Sequence, residues 1–333
     1  MMPSFVEVMR GTVVESRHIV HAAVAHADRG IVATCGDPTH VSFVRSAIKM
    51  FQALPLVEDG VAAACGFTGE ELALCTASHN AEPFHVDAAR RLLAKAGIDE
   101  SALACGPHEP MHAPAAEALR CAGERPRRIH NNCSGKHAGM LALARFHGWP
   151  IAHYHQLEHE VQQRVVHTIA RWTGLHPPAL QMAIDGCGLP TFALPLDRVA
   201  VACAKFAAAA HPGQPAAVIA HAMTAHPEFV AGTNRLDTVL MQLARGRLFA
   251  KVGAEGYYCA GVPEQRLGIA VKVEDGAKRA SEPALLAILR GVDALADHDL
   301  EQLREFARPA ILNTRDETVG EIRARLQLRP ASA

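Results

Sequence analysis

Extended, β-branched segments lie at both ends of this chain, and a long series of helical segments lies between them. Early strands are predicted at Phe5–Met9, Val13–Val24 and Ile31–Thr34, and late ones at Arg247–Lys251, Tyr257–Gly261 and Leu267–Val273. Each predicted helix of the middle stops near glycine or proline; these helices are Asp87–Ala96, Lys136–His147, His155–Thr173 and Asp197–Ala210. This order predicts an α+β fold, in which one antiparallel sheet from the N- and C-terminal strands is covered by helices.

No repeat or low-complexity linker divides the 333 residues, a length that suits one large domain or two intimately packed subdomains. We predict a single domain over 1–333, with a mixed sheet region at about 1–45 and 245–333. The region at about 46–244 is predicted to be mainly helical. Leu285–Ala296 and Leu300–Phe306 are predicted as terminal helices, and the sequence assigns no role to the segment that follows them.

Charge and hydropathy exclude several classes of function. The formal net charge is −1 and no basic run or stripe occurs, so neither nucleic acid nor an anionic membrane is an expected partner. No apolar stretch reaches the roughly 18–20 residues that span a bilayer. The first residues, MMPSFVEVMRG, lack the pattern of a secretory signal, and the nine cysteines are expected to be reduced thiols. We therefore expect a cytoplasmic protein.

Three short motifs indicate serine–lysine chemistry. Ser46 and Lys49 form a Ser-x-x-Lys motif at the start of a helical run that Pro55 is expected to end. A serine hydroxyl becomes a good nucleophile when a neighbouring base takes its proton, and a neutral lysine amine can be that base. A Ser-x-Asn motif at Ser78 and a Lys-x-Gly motif at Lys251 follow, in the order found in serine β-lactamases, penicillin-binding proteins and glutaminases.

A second constellation contains cysteines in polar, glycine-rich segments. Cys133 directly precedes a predicted helix, where backbone N–H groups favour a thiolate, and Cys187 lies in a Gly-Cys-Gly loop after the strand-like Leu180–Ile184. Two thiolates, a nitrogen ligand and a water would make an open tetrahedral Zn²⁺ site. Spacing alone favours His137 as the nitrogen ligand, because lysine ligands are rare. Two buried structural cysteines remain the alternative.

Taken together, these stretches resemble the class 3, rhizobial-type L-asparaginases. The resemblance extends from the N-terminus to about residue 280, and its most specific string is the Asn-Cys-Ser-Gly-Lys-His of residues 132–137. The other matching stretches are Arg45-Ser46-x-x-Lys49, Ala77-Ser78-His79, Asp185-Gly186-Cys187, His226-Pro227-Glu228, Val230-Ala231-Gly232, Lys251-Val252-Gly253-Ala254 and Gly268–Gly276.

The resemblance implies a serine β-lactamase/glutaminase-like fold, a homodimer, and hydrolysis of L-asparagine to L-aspartate and ammonia. It implies two catalytic Ser–Lys pairs, Ser46 with Lys49 and Ser78 with Lys251. It also implies a zinc ion held by Cys133, Lys136 and Cys187, which favours Lys136 over His137 and leaves His137 as a neighbour of the ligands.

Charge and position beside these motifs suggest substrate-binding roles for two further residues. Arg45 would meet the α-carboxylate of the substrate and Asp185 its α-amino group. Asp185 could instead hydrogen-bond a metal ligand. Which serine carries the acyl group remains open at this point.

Three other functions are compatible with the same residues. The first is hydrolysis of another amide, either glutamine or a β-lactam-like ring. The second is a non-catalytic, zinc-binding ligand sensor, although such a protein would have no need to keep four residues of catalytic type. The third is a hydrolase that uses Cys133 as its nucleophile and His137 as its base.

Overall fold

The structure, a computed structural model, describes residues 4–331 and divides them into two compact units. Unit 1 contains 4–47, 194–208 and 250–331, and unit 2 contains 48–193 and 209–249. The strands are β1 Phe5–Arg10, β2 Val13–His26, β3 Gly30–Cys35, β4 Val41–Phe43, β5 Gln181–Ile184, β6 Pro190–Pro195, β7 Phe249–Val252, β8 Tyr257–Val262, β9 Leu267–Val273, β10 Ala310–Leu312, β11 Thr318–Arg325 and β12 Arg329–Pro330. The helices are α1 Lys49–Glu58, α2 Val61–Cys65, α3 Gly69–Cys75, α4 Pro83–Lys95, α5 Ala113–Cys121, α6 Ser134–His147, α7 Glu160–Thr173, α8 Leu196–Ala208, α9 Pro215–Ala225, α10 Pro227–Val230, α11 Leu236–Ala244, α12 Lys278–Gly291, α13 Asp297–Gln302 and α14 Arg304–Ala307.

Unit 1 is built on a curled sheet with the strand order β10-β11-β1-β2-β9-β8-β7, to which β3 is added beside β2 and β12 beside β3. The pairs β1–β2, β1–β11, β2–β3, β2–β9 and β8–β9 are all antiparallel. Strand β2 is 14 residues long, so its first half pairs with β1 and its second half with β3 and β9. N- and C-terminal strands thus share one antiparallel sheet, which confirms the predicted α+β fold.

Helix α8 packs directly on this sheet, against β2, β8 and β9. Gly268 of β9 makes the close approach possible, because an added Cβ would lie 2.0 Å from the backbone nitrogen of Ala204 and 2.4 Å from the carbonyl oxygen of Ala200. A second helix, α12, packs against β1, β8, β9 and β11. Together the helices bury the apolar residues of the central strands, and β8 and β9 are buried along their whole length.

Unit 2 is mainly helical. Helix α1 packs against α6, α7 and α9, and α6 packs against α3 and α4. The first eleven residues of α6 are all buried, so this helix lies in the core of the unit and not at its surface. Strands β5 and β6 pair antiparallel, with Gln181 opposite Ala193, and the turn between them contains Cys187.

A proline lies inside two of the helices whose predicted limits are wrong. The helix expected to end before Pro55 continues to Glu58, and the helix expected at Leu285–Ala296 runs from Lys278 to Gly291 with Pro283 inside it. A proline within a helix costs about 3 kcal/mol. Both prolines are buried, and burial of the surrounding apolar faces offsets this cost.

Other helices also differ from their predicted limits: the one predicted from His155 begins at Glu160, and the one predicted from Asp87 begins at Pro83. The helix predicted at Leu300–Phe306 is two short helices, α13 and α14. The predicted strands lie within two residues of the observed ones. Helix α6 ends at Gly148 and α7 at Gly174, each with a left-handed glycine as C-cap. Strands β10, β11 and β12 of the C-terminal segment were not expected from the sequence. None of the helices between residues 4 and 331 combines the length and the apolar character needed to cross a bilayer.

Candidate active site

Lys49 lies at the centre of the candidate site in unit 2. It is the first residue of α1, and it is fully buried. Its Nζ donates hydrogen bonds to the carbonyl oxygen of Ala77, to Ser78 Oγ at 3.1 Å and to Cys133 Sγ at 3.0 Å. A single buried amine therefore contacts both the Ser-x-Asn motif and the cysteine constellation.

Cys133 and Cys187 form a buried pair of thiols that are hydrogen-bonded to each other. This hydrogen bond and burial raise the pKa of Cys133, which Lys49 and Lys136 lower in part. The same hydrogen bond lowers the pKa of Cys187; burial opposes the shift, and Lys136 and Lys49 add to it. Cys187 is therefore the more acidic thiol of the pair and the one that ionises first.

Lys136 provides the nitrogen nearest to these thiols. Its Nζ lies 3.5 Å from Cys187 Sγ. Burial opposes a charge on Lys136, but Cys187, Cys133 and Asp185 outweigh burial and raise its pKa. Lys136 thus lies beside Cys187, which is hydrogen-bonded to Cys133, and the three side chains offer S, S and N donors of the kind that Zn²⁺ binds well.

His137 contacts Tyr154, whereas Lys136 contacts Cys187. Its Nδ1 lies 2.5 Å from the hydroxyl of Tyr154, which also accepts the backbone N–H of Ala104. The Nε2 of His137 is buried and has no hydrogen-bond partner among the residues that the structure describes. Burial lowers the pKa of His137 to about 3, so the ring stays neutral at ordinary pH.

Asp185 lies in the β5–β6 turn together with Cys187. Its Oδ1 accepts the N–H of Gly186 at 2.7 Å, and its backbone N–H donates to the carbonyl oxygen of Leu189. The carboxylate is half-buried, and its charge acts on both Lys136 and Cys187. This turn therefore places a carboxylate and a thiolate near the same ammonium group.

Arg45 and Ser46 lie in unit 1, in a 3-10 turn over Arg45–Ile48 that directly precedes α1. Arg45 has a φ of +49°, a left-handed conformation that costs a non-glycine residue of order 1 kcal/mol. The N–H of Ala47 donates to the carbonyl oxygen of Val44 at 3.1 Å and closes the turn. Ser46 is half-buried.

Lys251 also lies in unit 1, on the buried strand β7. Its Nζ donates to the carbonyl oxygen of Val252 at 2.8 Å. The glycine of this Lys-x-Gly motif, Gly253, permits close packing, because an added Cβ would lie 2.9 Å from the carbonyl oxygen of Val44 and 3.1 Å from the Cβ of Ala47. The end of β7 is thus packed against the turn that contains Ser46.

Comparison with known families identifies the family of the chain. A family model described as L-asparaginase II matches residues 6–324, which is nearly the whole chain. The chain belongs to the L-asparaginase II family. Membership supports L-asparaginase activity, and thus an amidohydrolase that acts on a small molecule such as asparagine. A search of the curated proteins found no match.

For this member of the L-asparaginase II family, the structure brings six of the predicted site residues into unit 2; they are Lys49, Ser78, Cys133, Lys136, Asp185 and Cys187. Arg45, Ser46 and Lys251 lie in unit 1. Within unit 2 the described lysine–serine contact joins Lys49 to Ser78. The sequence paired Lys49 with Ser46, three residues before it.

Sequence reasoning missed three buried residues of this site. Cys105 lies beside the thiol pair. Burial, with a smaller effect from Cys133 and Cys187, raises the pKa of Cys105 to about 12. Tyr154 hydrogen-bonds His137, and His79 hydrogen-bonds Ser134. Cys105 and Tyr154 are distant in sequence from every motif, and no local pattern marks them. His79 could have been noticed, since it directly follows Ser78 within a matching stretch.

Proposed function

We propose that this protein is a class 3, rhizobial-type L-asparaginase that hydrolyses L-asparagine to L-aspartate and ammonia by serine–lysine acyl transfer. The observation that carries the proposal is the contact of the buried Lys49 amine with Ser78 Oγ at 3.1 Å and with Cys133 Sγ at 3.0 Å. Membership of the L-asparaginase II family gives the substrate class. The motif resemblance adds a serine β-lactamase/glutaminase-like fold and a homodimer to the proposal.

In the first step Ser46 is the nucleophile. Its Oγ attacks the side-chain amide carbon of asparagine while its proton passes to the amine of Lys49, which must be neutral to accept it. The C–N bond then breaks, and the leaving nitrogen takes up a proton and departs as ammonia. An aspartyl ester on Ser46 remains. The strained φ of Arg45 supports this role for Ser46, because backbone strain is concentrated at functional positions.

In the second step water hydrolyses the ester. Ser78 and Lys251 have relayed a proton to the departing ammonia in the first step, and in the second step they take one back from the attacking water. Addition of water and loss of the Ser46 oxygen release aspartate and restore the Ser46 hydroxyl. The hydrogen bond between Lys49 and Ser78 supports Ser78 as a member of the relay. It also makes Ser78 the second candidate for the acylated serine.

Two charged residues would recognise the amino-acid end of the substrate. Arg45 offers a guanidinium to the α-carboxylate, and Asp185 offers a carboxylate to the α-ammonium group. The half-buried position of both supports this assignment. The charge of Asp185 also acts on Lys136, so its second role would be to orient the lysine amine.

The donor set of unit 2 fits a zinc ion. Cys133, Lys136 and Cys187 would hold it, and the observation in favour is that their sulfur and nitrogen atoms converge inside the protein. No group of three or more His, Cys, Asp or Glu residues suitable for a metal occurs within residues 4–331, and the proposal takes Lys136 as the third protein ligand, as the motif resemblance implies. When bound, the ion would supply a fixed positive charge that orients the substrate.

Ammonia release from L-asparagine and from L-glutamine by the purified protein tests the substrate. We expect asparagine turnover that exceeds glutamine turnover. Pretreatment with a thiol-alkylating reagent in the presence of excess zinc tests the cysteine alternative, because bound zinc protects thiolates from alkylation. Loss of activity despite zinc would favour Cys133 as nucleophile, whereas zinc binding without release from either amide would favour a ligand sensor.

A further inference from the structure

His79 connects the two segments that Lys49 contacts. The imidazole is fully buried in unit 2, and its Nε2 lies 2.9 Å from Ser134 Oγ. Its backbone N–H donates to the carbonyl oxygen of Asn132 at 3.2 Å. His79 directly follows Ser78, and Ser134 directly follows Cys133. The pair Ser78–His79 is therefore linked to the pair Cys133–Ser134 by two side chains. Lys49 contacts Ser78 and Cys133, and His79 contacts Ser134.

The hydrogen bonds assign the tautomer of His79. The backbone N–H of Ala81 donates to its Nδ1 at 3.1 Å, so this nitrogen carries no proton. The Nε2 nitrogen is then protonated and donates to Ser134 Oγ. Burial, with His85 and Lys49 nearby, holds the pKa of His79 well below its ordinary value, which keeps the ring neutral.

The same ring supports a strained backbone. Ala81 is buried and has a φ of +58°, in the left-handed region that non-glycine residues rarely occupy. Its N–H is the group that His79 Nδ1 accepts. The backbone of residues 78–80 is also held by a second segment, because the N–H groups of Ser78 and Asn80 donate to the carbonyl oxygens of Val230 and Ala231, both at 2.9 Å. Hydrogen bonds thus hold the Ser78 segment to residues 230–231, and the His79 side chain connects it to Ser134 of α6.

We propose that His79 is a positioning residue, which fixes the hydroxyl of Ser78 relative to Cys133 through its Nε2–H bond to Ser134. This inference rests on the function proposed above. It requires no proton transfer by His79, because both ring nitrogens are engaged by the protein. Displacing a reacting group by about 1 Å can cost up to about 10²-fold in rate. Loss of the His79–Ser134 bond should therefore lower kcat and leave substrate binding almost unchanged.

His85 offers a matched control. It is fully buried, and it stacks on His79 with ring centroids 5.0 Å apart. Its Nδ1 accepts the N–H of Glu82, and its Nε2 lies 2.9 Å from the carbonyl oxygen of Glu228. The two histidines thus share burial and hydrogen-bonding chemistry. They differ in their hydrogen-bond partners, since His85 bonds to Glu82 and Glu228 whereas the Nε2 of His79 bonds to Ser134 of α6.

The test compares kcat and KM for L-asparagine among four variants. We expect His79→Leu and Ser134→Ala to lower kcat by about tenfold with KM changed less than about twofold. His79→Gln, whose amide N–H can reach Ser134, should stay within about threefold of the parent kcat. His85→Leu should lower the unfolding midpoint as His79→Leu does, yet keep kcat within about twofold. A glutamine variant no better than the leucine variant, or equal losses of kcat at the two histidines, would overturn the proposal.

A measurement that does not depend on turnover separates this inference from the proposed function. Histidine side-chain ¹H–¹⁵N NMR of the parent protein should show a neutral ring with a slowly exchanging Nε2–H that disappears in His79→Gln and shifts in Ser134→Ala. A His79 protonated at Nδ1, or a resonance that Ser134→Ala leaves unchanged, would contradict the link even if the enzyme is active. If the parent protein released no ammonia, the proposed function would fail, and the NMR result would still decide whether His79 holds α6.

Discussion

Lys49 is the residue whose replacement should affect turnover most selectively. A positioned general base contributes about 10²–10⁴-fold to a rate. Lys49→Arg keeps a cation, but a guanidinium cannot give up its proton in a protein. We therefore expect kcat/KM for asparagine to fall by about 10²–10⁴-fold in an ammonia-release assay. Lys272→Arg is the control, because Lys272 is also buried but donates only to backbone carbonyls; a similar loss there would contradict a specific role for Lys49.

Replacement of Cys187 should abolish zinc binding. Zinc binding to Cys133, Cys187 and Lys136 must displace protons, since the pKa values of Cys133 and Lys136 are raised in the metal-free protein. Zinc affinity should thus weaken as the pH falls, and binding should acidify a weakly buffered solution. Cys187→Ser should lose the metal after dialysis, as measured by elemental analysis. Cys75→Ser, at a buried thiol packed near Gly139, should retain it; equal zinc content in both variants would exclude the proposed ligands.

Helices α1 and α7 are joined by ion pairs that should make stability depend on pH. Arg164 of α7 contacts Asp59, the C-cap of α1, at 2.7 Å and Glu58 at 2.7 Å. Burial raises the pKa of Asp59, but the hydrogen bonds from Arg164 and His147 outweigh burial and hold the pKa below its ordinary value. Such a carboxylate stabilises the fold above its unfolded pKa of about 4, and this contribution is lost as the pH falls through the folded-state pKa.

Arg164→Met should therefore lower the free energy of unfolding by about 1–3 kcal/mol at pH 7. The difference from the parent protein should shrink below about pH 4. Urea denaturation at both pH values measures it. Arg171→Met removes a more exposed contact with Glu58 from the same helix and should cost less than about 0.5 kcal/mol. A difference for Arg164→Met that persists at low pH would show that packing and not charge explains its cost.

The sequence predicts those elements that follow local rules. Leu267–Val273 was predicted with its observed limits, and α6 and α7 end at the glycines expected from C-cap chemistry. Pro55 misled the prediction because its cost is offset by burial, which is a property of the tertiary structure. The motifs identified Ser78, Cys133 and Cys187, but the contact of Lys49 with Ser78 joins residues 29 positions apart, and no local spacing indicates it.

The main antiparallel sheet joins the N-terminal and C-terminal parts of the chain. Strand β11 pairs with β1 in a register that sets Phe5 opposite Arg325 and Arg10 opposite Gly320. Arg323 of β11 contacts the buried Glu7 of β1 at 3.1 Å. The C-terminal segment, whose role no sequence motif indicates, therefore covers the edge of a strand that would otherwise be open to other chains.

Truncation after Ala307 should expose the edge of β1 and leave most of the protein insoluble. Truncation after Leu326 removes β12 but keeps β11, and it should remain soluble with an unfolding midpoint within a few degrees of the full chain. Fractionation of expressed protein and thermal unfolding measure both. A soluble, cooperatively folding protein that ends at Ala307 would show that the pairing of β11 with β1 is dispensable.

Ammonia release from L-asparagine by the parent protein and by its Ser46→Ala and Ser78→Ala variants decides whether the protein is an asparaginase with Ser46 as its nucleophile. We expect turnover by the parent protein, a loss of at least about 10³-fold in Ser46→Ala, and a smaller loss in Ser78→Ala. The folded state of each variant is checked by its thermal unfolding. Full asparagine turnover by Ser46→Ala would contradict the role of Ser46 as nucleophile. Loss of turnover in Ser78→Ala alone would show that Ser78, the serine that Lys49 contacts, carries the acyl group.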